Sequence, residues 1–111
     1  MFSKANRLDR TAFAHAYTRG VRAQTAGLTL IWYVAPLHKA AVVVGRKVAG
    51  SAVARNRLKR WLYAALREAR MQSGHIIVLA KPALRDYSRA RLCAELTVGL
   101  GRLIGRMAPS R

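Results

Sequence analysis

The sequence predicts an α+β fold in which helices pack on one sheet as a single-domain two-layer α/β sandwich. Three observations support this class. The chain has 111 residues, the usual size of one domain. A hydrophobic fraction of 52% is enough for a packed core. Helical and strand patterns follow one another in the order helix, strands, helix, strand, helix. We therefore expect one domain over residues 1–111, with residues 1–6 and 108–111 frayed.

The first helix is predicted over LDRTAFAHAYTRG, residues 8–20. Asp9 or Thr11 can cap its start, and Gly20 can take the left-handed conformation past its end. Apolar and aromatic residues recur near the helical repeat, so the helix carries an aromatic stripe that contains Leu8, Phe13 and Tyr17.

Three further segments have the composition of strands. Residues 27–35 and 75–81 are rich in β-branched and other apolar residues, and each is followed by a proline. Residues 40–48 begin with a nearly continuous apolar run, which predicts burial on both faces. Because the connection between the first two strands is short, we expect them to be antiparallel neighbours.

Two longer helices complete the chain. SAVARNRLKRWLYAALREAR, residues 51–70, predicts a helix that ends near residues 72–74. Residues 86–107 predict the last helix, which Asp86 or Ser88 can cap. Its apolar stripe consists of Leu92, Leu96, Leu100, Leu103 and Met107.

The charge of the chain is far from balanced. Twenty-one Lys and Arg face four acidic residues, which gives a net charge of +17. Such a surplus repels itself in a compact chain unless a polyanion neutralises it. Nucleic acid is therefore the first partner to consider and an anionic membrane surface the second. Arginine outnumbers lysine, which favours phosphate recognition because a guanidinium binds phosphate in a bidentate manner.

The helix over residues 51–70 separates apolar from basic residues on a helical wheel. The apolar side contains Ala54, Leu58, Trp61, Leu62, Ala65, Leu66 and Ala69. The opposite side contains Arg55, Asn56, Lys59, Arg60, Tyr63, Arg67 and Arg70, while Arg57 lies at the boundary beside Trp61. A solvated face usually mixes both signs of charge, but here Glu68 is the one acid. The pattern favours a surface that binds a polyanion.

The sequence offers no catalytic or metal site of its own. A metallonuclease needs clustered carboxylates, whereas the acids and histidines here are scattered over different elements. They are Asp9, Glu68, Asp86, Glu95, His15, His38 and His75. The single Cys93, the lack of a membrane-length apolar run and the lack of a secretory signal predict a cytoplasmic location.

Four segments, in order, resemble the bacterial ribonuclease P protein subunit. ARNRLKRWLYAALRE looks like the RNR signature helix of that family, and NRLDRTAFAHAYTRG is similar to its opening segment. VVVGRKVAGSAVARNR resembles the strand-to-helix entry, and HIIVLAKPA the strand that ends in Lys-Pro-Ala. The resemblance implies the order αβββαβα and a mixed four-stranded sheet of the ribosomal protein S5 domain 2-like type. Residues 21–25 are the candidate for the strand not otherwise evident.

The resemblance also implies a function. In the family, the protein assists a catalytic RNA that removes the 5′ leader of precursor tRNA, and the RNA performs the endonucleolytic chemistry. The expected partners are the catalytic ribonuclease P RNA and precursor tRNA, with no membrane and no protein partner. No cofactor is expected on the protein alone, and Mg²⁺ is used by the RNA-containing holoenzyme.

Two groups of site residues follow from the resemblance. Phe13 and Tyr17 match the aromatic positions that line the family's cleft for the leader. The strand position of that cleft falls on Ile31 or on Tyr33, and we favour Tyr33 because it keeps an aromatic ring. The residues expected to bind RNA are Arg7, Arg46, Lys47, Ser51, Arg55, Asn56, Arg57, Lys59, Arg60 and Arg67.

Three other functions compete with this one. A small ribosomal protein would fit the charge equally well, although the four ordered segments speak against it. A peripheral membrane protein could use the basic helix, but its apolar face is needed to cover the sheet. A stand-alone protein ribonuclease is disfavoured by the low number of acids.

Overall fold

The computed structural model describes residues 7–69 and 73–107, and within them it has the predicted α+β architecture. Three helices and a mixed four-stranded sheet are present. A short 3₁₀ turn over Pro82–Asp86 connects the last strand to the last helix. The elements are α1 (Arg10–Arg19), β1 (Val21–Gln24), β2 (Leu28–Tyr33), β3 (Lys39–Val43), α2 (Ala52–Ala69), β4 (His75–Ala80) and α3 (Arg89–Met107). The weak strand candidate at residues 21–25 is confirmed as β1. The ends expected to fray lie outside the described residues, as does Arg70.

The strand order of the sheet is β1-β2-β4-β3. β2 is antiparallel to both β1 and β4, and β3 is parallel to β4. The strands predicted at residues 27–35 and 40–48 are β2 and β3. The expectation that they are neighbours is wrong, because β4 lies between them. β4 takes this central place because its Ile76, Ile77 and Val78 are apolar on both faces, and a central strand can bury all three.

The expectation that residues 40–48 form a strand buried on both faces is also wrong. β3 ends at Val43 and lies at the edge of the sheet. Ala40 and Val42 are buried, whereas Val43 is 40% exposed. The residues after Val44 form the turn that leads into α2, so the apolar run divides between an edge strand and a turn.

The ends of α1 depend on its first and last neighbours. Asp9 is the N-cap, as predicted, and its side chain accepts a hydrogen bond of 2.8 Å from the Ala12 N–H. Gly20 ends the helix with an extended backbone at φ −73°, so the expected left-handed conformation is wrong. Glycine is needed there for space, because a Cβ atom would lie 2.6 Å from Ile31 Cγ2.

The two faces of the sheet are covered unequally. α2 and α3 cover one face, and this layer is the main core. Its buried side chains include Leu28, Leu30, Leu58, Leu62, Leu66, Val78, Leu92, Leu96 and Leu103. Of the elements in the described ranges, α1 is the one that crosses the opposite face, and the completely buried residues of the cluster there are Ala16, Ile31 and Ile77. We call this side the open face; its strand residues are Arg22, Gln24, Thr29, Ile31, Tyr33, Lys39, Ala41, Val43, His75, Ile77 and Leu79.

Candidate nucleic-acid interface

The outer side of α2 lines a basic groove. The helix turns Leu58, Leu62 and Leu66 into the core, as the wheel predicts, so the opposite side of the helix faces outward. The groove has a volume of about 610 Å³. We call it the α2 groove; its polar lining residues are Arg7, Asn56, Lys59, Arg60, Tyr63 and Arg89. Four residues that sequence reasoning assigned to RNA binding are therefore brought together.

Tyr63 of α2 contacts two other parts of the chain that line the α2 groove. Its hydroxyl oxygen accepts a hydrogen bond of 3.2 Å from the Val42 N–H of the edge strand β3. The guanidinium carbon of Arg7 lies 5.4 Å from the centre of the Tyr63 ring. Arg7 also forms a β-bridge with Ala40, and the next residue, Leu8, donates to the Ala40 carbonyl at 3.0 Å. These contacts fix the position of Arg7 beside α2.

The charge of the α2 groove is of one sign. Four of its lining residues are Lys or Arg, and none is acidic. Among the described residues the one ion pair joins Arg85 to Asp86, at 3.9 Å, and both side chains are exposed. Carboxylates therefore do not neutralise the groove, and a bound polyanion would release counterions from it.

The turn before α2 carries the predicted basic pair and the helix cap. Arg46 and Lys47 are exposed in this turn. The Ser51 hydroxyl accepts a hydrogen bond of 3.1 Å from the Ala54 N–H, which is the interaction of an N-cap. Arg55 Nη1 donates to the carbonyls of Ala49 and Gly50 at 3.1 and 2.9 Å. Part of the Arg55 guanidinium therefore holds the turn in place.

Arg57 lies apart from the α2 groove, on the other side of the helix. Its guanidinium carbon lies 5.6 Å from the centre of the Trp61 ring, which agrees with the wheel. Together with Ser51, Arg85 and Tyr87 it lines a smaller groove of about 170 Å³. The predicted Arg67 lies in the last turn of α2 and lines neither groove.

The aromatic residues of α1 lie beside the open face. The Phe13 and Tyr17 rings stack with their centres 6.0 Å apart and their planes 12° from parallel. Tyr17 is 44% exposed, and Phe13 is half-buried against the small cluster around Ile31 and Ile77. Arg22 of β1 also contacts Tyr17: its guanidinium carbon lies 4.7 Å from the centre of the Tyr17 ring. The ring pair borders the part of the open face to which the resemblance assigns the leader cleft, and we call this region the cleft.

The two candidates for the strand position of the cleft differ in accessibility. Ile31 is completely buried under α1, so it has no surface to offer a ligand. Tyr33 is half-buried on the same sheet face and lies beside His75, which in turn pairs with Lys39. Burial and the neighbouring Lys39 lower the pKa of His75 below its usual value. Tyr33 is therefore the accessible ring of this strand.

Neither a membrane span nor a metal-binding cluster was found in the described ranges. No helix of residues 7–69 and 73–107 is long and apolar enough to cross a membrane. Within the same ranges, no three His, Cys, Asp or Glu side chains lie close enough together to hold a metal ion.

Comparison with known proteins assigns a family to this arrangement. The family model described as Ribonuclease P matches residues 2–104. The chain belongs to the ribonuclease P protein family. A ribonuclease P protein component from Synechococcus is 37% identical over 97 residues, which are 79% of this chain and 73% of that protein. One from Thermus oshimai is 37% identical over 73 residues, which are 66% of this chain but only 48% of the relative.

The fold of this chain is similar to that of a solved ribonuclease P protein structure. The Staphylococcus aureus RNase P protein superposes with a TM-score of 0.80 at 21% identity, over 88% of this chain and 94% of that one. At this identity the similarity concerns the fold, and it confirms the predicted α+β architecture.

Three residues of the α2 groove and the cleft of this ribonuclease P protein were not predicted from the sequence. The first is Tyr63, which could have been predicted because it lies among the basic residues on the helical wheel. Arg89 comes to the α2 groove from the start of α3, and Arg22 comes to the cleft from β1. No local pattern marks either arginine, because the fold alone brings them to these surfaces.

Proposed function

We propose that this chain is the protein subunit of a ribonuclease P holoenzyme, an endoribonuclease that forms the mature 5′ end of tRNA. In this proposal the α2 groove binds the catalytic RNA, and the cleft beside α1 binds the single-stranded 5′ leader of precursor tRNA. The observation that carries it is that a member of this family has a basic groove without acidic residues and, apart from it, a stacked aromatic pair whose Tyr17 ring is exposed.

The α2 groove suits the backbone of a folded RNA. Each Lys or Arg that contacts a phosphate releases condensed counterions. Each such contact adds about 0.7–0.9 to the steepness with which log K falls against log salt. Tyr63 and the bridge to Ala40 hold Arg7 in place, so binding does not have to order its backbone. The exposed Arg46 and Lys47 would extend this surface at the turn before α2.

The cleft suits unpaired nucleotides of varied sequence. Base stacking on an aromatic ring contributes about 1–3 kcal/mol per base and tolerates every base. Tyr17 has an exposed ring that stacks on the Phe13 ring, and Tyr33 provides a second ring on β2. Such a cleft would distinguish precursor tRNA from mature tRNA because only the precursor has a leader.

We assign the chemistry to the RNA subunit and the Mg²⁺ to the RNA-containing holoenzyme. The described residues contain no group of three His, Cys, Asp or Glu side chains that could hold a metal ion. The protein then contributes affinity and orientation for both RNAs. We place this activity in the cytoplasm, with no membrane and no further protein partner.

Reconstitution tests this proposal. A bacterial ribonuclease P RNA and a precursor tRNA are mixed at low Mg²⁺ with and without the protein, and the cleaved 5′ end is mapped. We expect the protein to increase cleavage at the mature 5′ end and to cleave nothing by itself. Polylysine at equal total charge is the control for unspecific charge neutralisation. If polylysine matches the protein, or if the protein gives no gain, the proposal is wrong.

A further inference from the structure

A second basic groove lies at the free edge of β1, where sequence reasoning placed no site. It has a volume of about 570 Å³. We call it the β1-edge groove; its lining residues are Arg22, Ala23 and Gln24 of β1 with Arg102, Gly105 and Arg106 of α3. Three of the six are arginines, and none is acidic. The volume is in the range of natural ligand sites.

Two structural features bring the three arginines together. α3 buries Leu96, Leu100 and Leu103 against the sheet, which leaves Arg102 and Arg106, one helical turn apart, on the solvent side. Arg102 Nη1 donates to the Gln24 carbonyl at 2.7 Å, across 78 residues of sequence. This hydrogen bond fixes the end of α3 beside the edge strand.

Arg22 connects the β1-edge groove with the aromatic cleft. Its guanidinium lies over the Tyr17 ring and donates to the Tyr17 carbonyl at 2.6 Å. In the sheet register Arg22 lies opposite Ile31, which α1 buries. Because Arg22 contacts Tyr17 and also lines the groove, the groove adjoins the cleft at Tyr17, on the side away from β3 and its basic turn.

This continuity gives an RNA strand a direction across the protein. A strand that enters from the β3 edge, near Arg46 and Lys47, passes the stacked rings on the open face and leaves over β1. At that point its backbone meets three guanidinium groups, the side chains best suited to bidentate phosphate contacts. The three cations repel one another until an anion lies between them.

We propose that Arg22, Arg102 and Arg106 bind backbone phosphates of the upstream part of the leader as it leaves the cleft. This inference rests on the proposed function, because it requires a leader in the cleft. It goes further in predicting that affinity depends on leader length. Single-stranded binding sites on small folds cover about 4–16 nucleotides, so a leader of about 4 would end in the cleft and one of about 12 would reach the groove.

The test measures the affinity of the reconstituted holoenzyme for three RNAs: mature tRNA and precursors with leaders of about 4 and about 12 nucleotides. Arg106→Ala and Arg102→Ala are compared with the wild-type protein and with Arg60→Ala. We expect both α3 variants to lose several-fold affinity for the long leader alone. Arg60→Ala should weaken all three complexes equally, since it acts on the catalytic RNA.

The outcomes separate this inference from the proposed function. If the wild-type holoenzyme does not prefer either precursor to mature tRNA, the proposed function fails. If it prefers both precursors, but Arg106→Ala leaves the long-leader affinity unchanged, only the inference is overturned. An equal loss on all three RNAs also overturns it, because the groove would then contact the catalytic RNA or the tRNA body. Arg106→Ala decides the result if Arg102→Ala fails to fold.

Discussion

Removal of the Arg60 charge should lower the salt dependence of binding to the catalytic RNA by one phosphate contact. Arg60 is exposed and lines the α2 groove with Arg7, Lys59 and Arg89. If all four cations contact phosphates, the groove contributes about 3 to the slope of log K against log salt. Arg60→Ala should reduce the slope by about 0.7–0.9. Its effect on affinity should therefore shrink about threefold between about 50 and about 200 mM salt.

The assay is equilibrium binding of labelled ribonuclease P RNA over a series of salt concentrations, with no tRNA present. The matched control is Arg91→Ala, which removes the same charge from a residue outside the grooves. The Arg91 guanidinium carbon lies 4.0 Å from the centre of the Tyr87 ring. We expect the control to keep the wild-type slope. An unchanged slope for Arg60→Ala, or an equal decrease in both variants, would refute the phosphate-contact reasoning.

Three further predictions concern single side chains. Tyr17→Ala should weaken the binding of precursor tRNA by about 1–3 kcal/mol and leave mature tRNA unaffected, since a base loses its stacking partner. Tyr17→Phe should keep the affinity, and equal losses on both RNAs would argue against the cleft. Arg55→Ala should lower the free energy of unfolding by about 1 kcal/mol in chemical denaturation, because two turn carbonyls lose their donor; Lys59→Ala, one turn on, should not. Glu95→Gln should destabilise the protein at neutral pH, and the difference should disappear as the pH falls through the lowered pKa of Glu95 in the folded state.

The pH dependence of Glu95 follows from its hydrogen bonds. Bonds from the Thr25 side chain, the Gly27 N–H and the Tyr87 hydroxyl lower the pKa of Glu95, although burial opposes them. A lowered pKa contributes stability above the ordinary pKa of a glutamate, and this stability is lost as the pH falls through the folded-state value. Thermal denaturation from pH 7 to pH 3 measures the difference. A constant difference between Glu95→Gln and the wild type over this range would contradict the assignment.

Local periodicity was sufficient to predict α2 and α3. The repeat of 3.6 residues places Leu58, Leu62 and Leu66 on one side whatever lies beneath them, and the structure buries all three. The same reasoning placed Arg57 beside Trp61, where the structure has it. A helix face depends on residues within two or three turns, so the sequence contains all the necessary information.

Strand neighbours and cleft residues depend on distant parts of the chain. β4 separates β2 from β3 although it follows them by a whole helix, and no local pattern could reveal this pairing. The accessibility of Ile31 and Tyr33 depends on where α1 crosses the sheet, which buries the first and leaves the second half-buried. The three arginines of the β1-edge groove come from elements at opposite ends of the chain.

The central claim is that one surface binds the catalytic RNA while a separate cleft binds the leader. Its most direct test is the ratio of affinities for precursor and mature tRNA, measured once with the ribonuclease P RNA alone and once with the reconstituted holoenzyme. We expect the protein to increase this ratio, Tyr17→Ala to reduce the increase, and Arg60→Ala to leave the ratio itself unchanged. A ratio that is the same with and without the protein would contradict it.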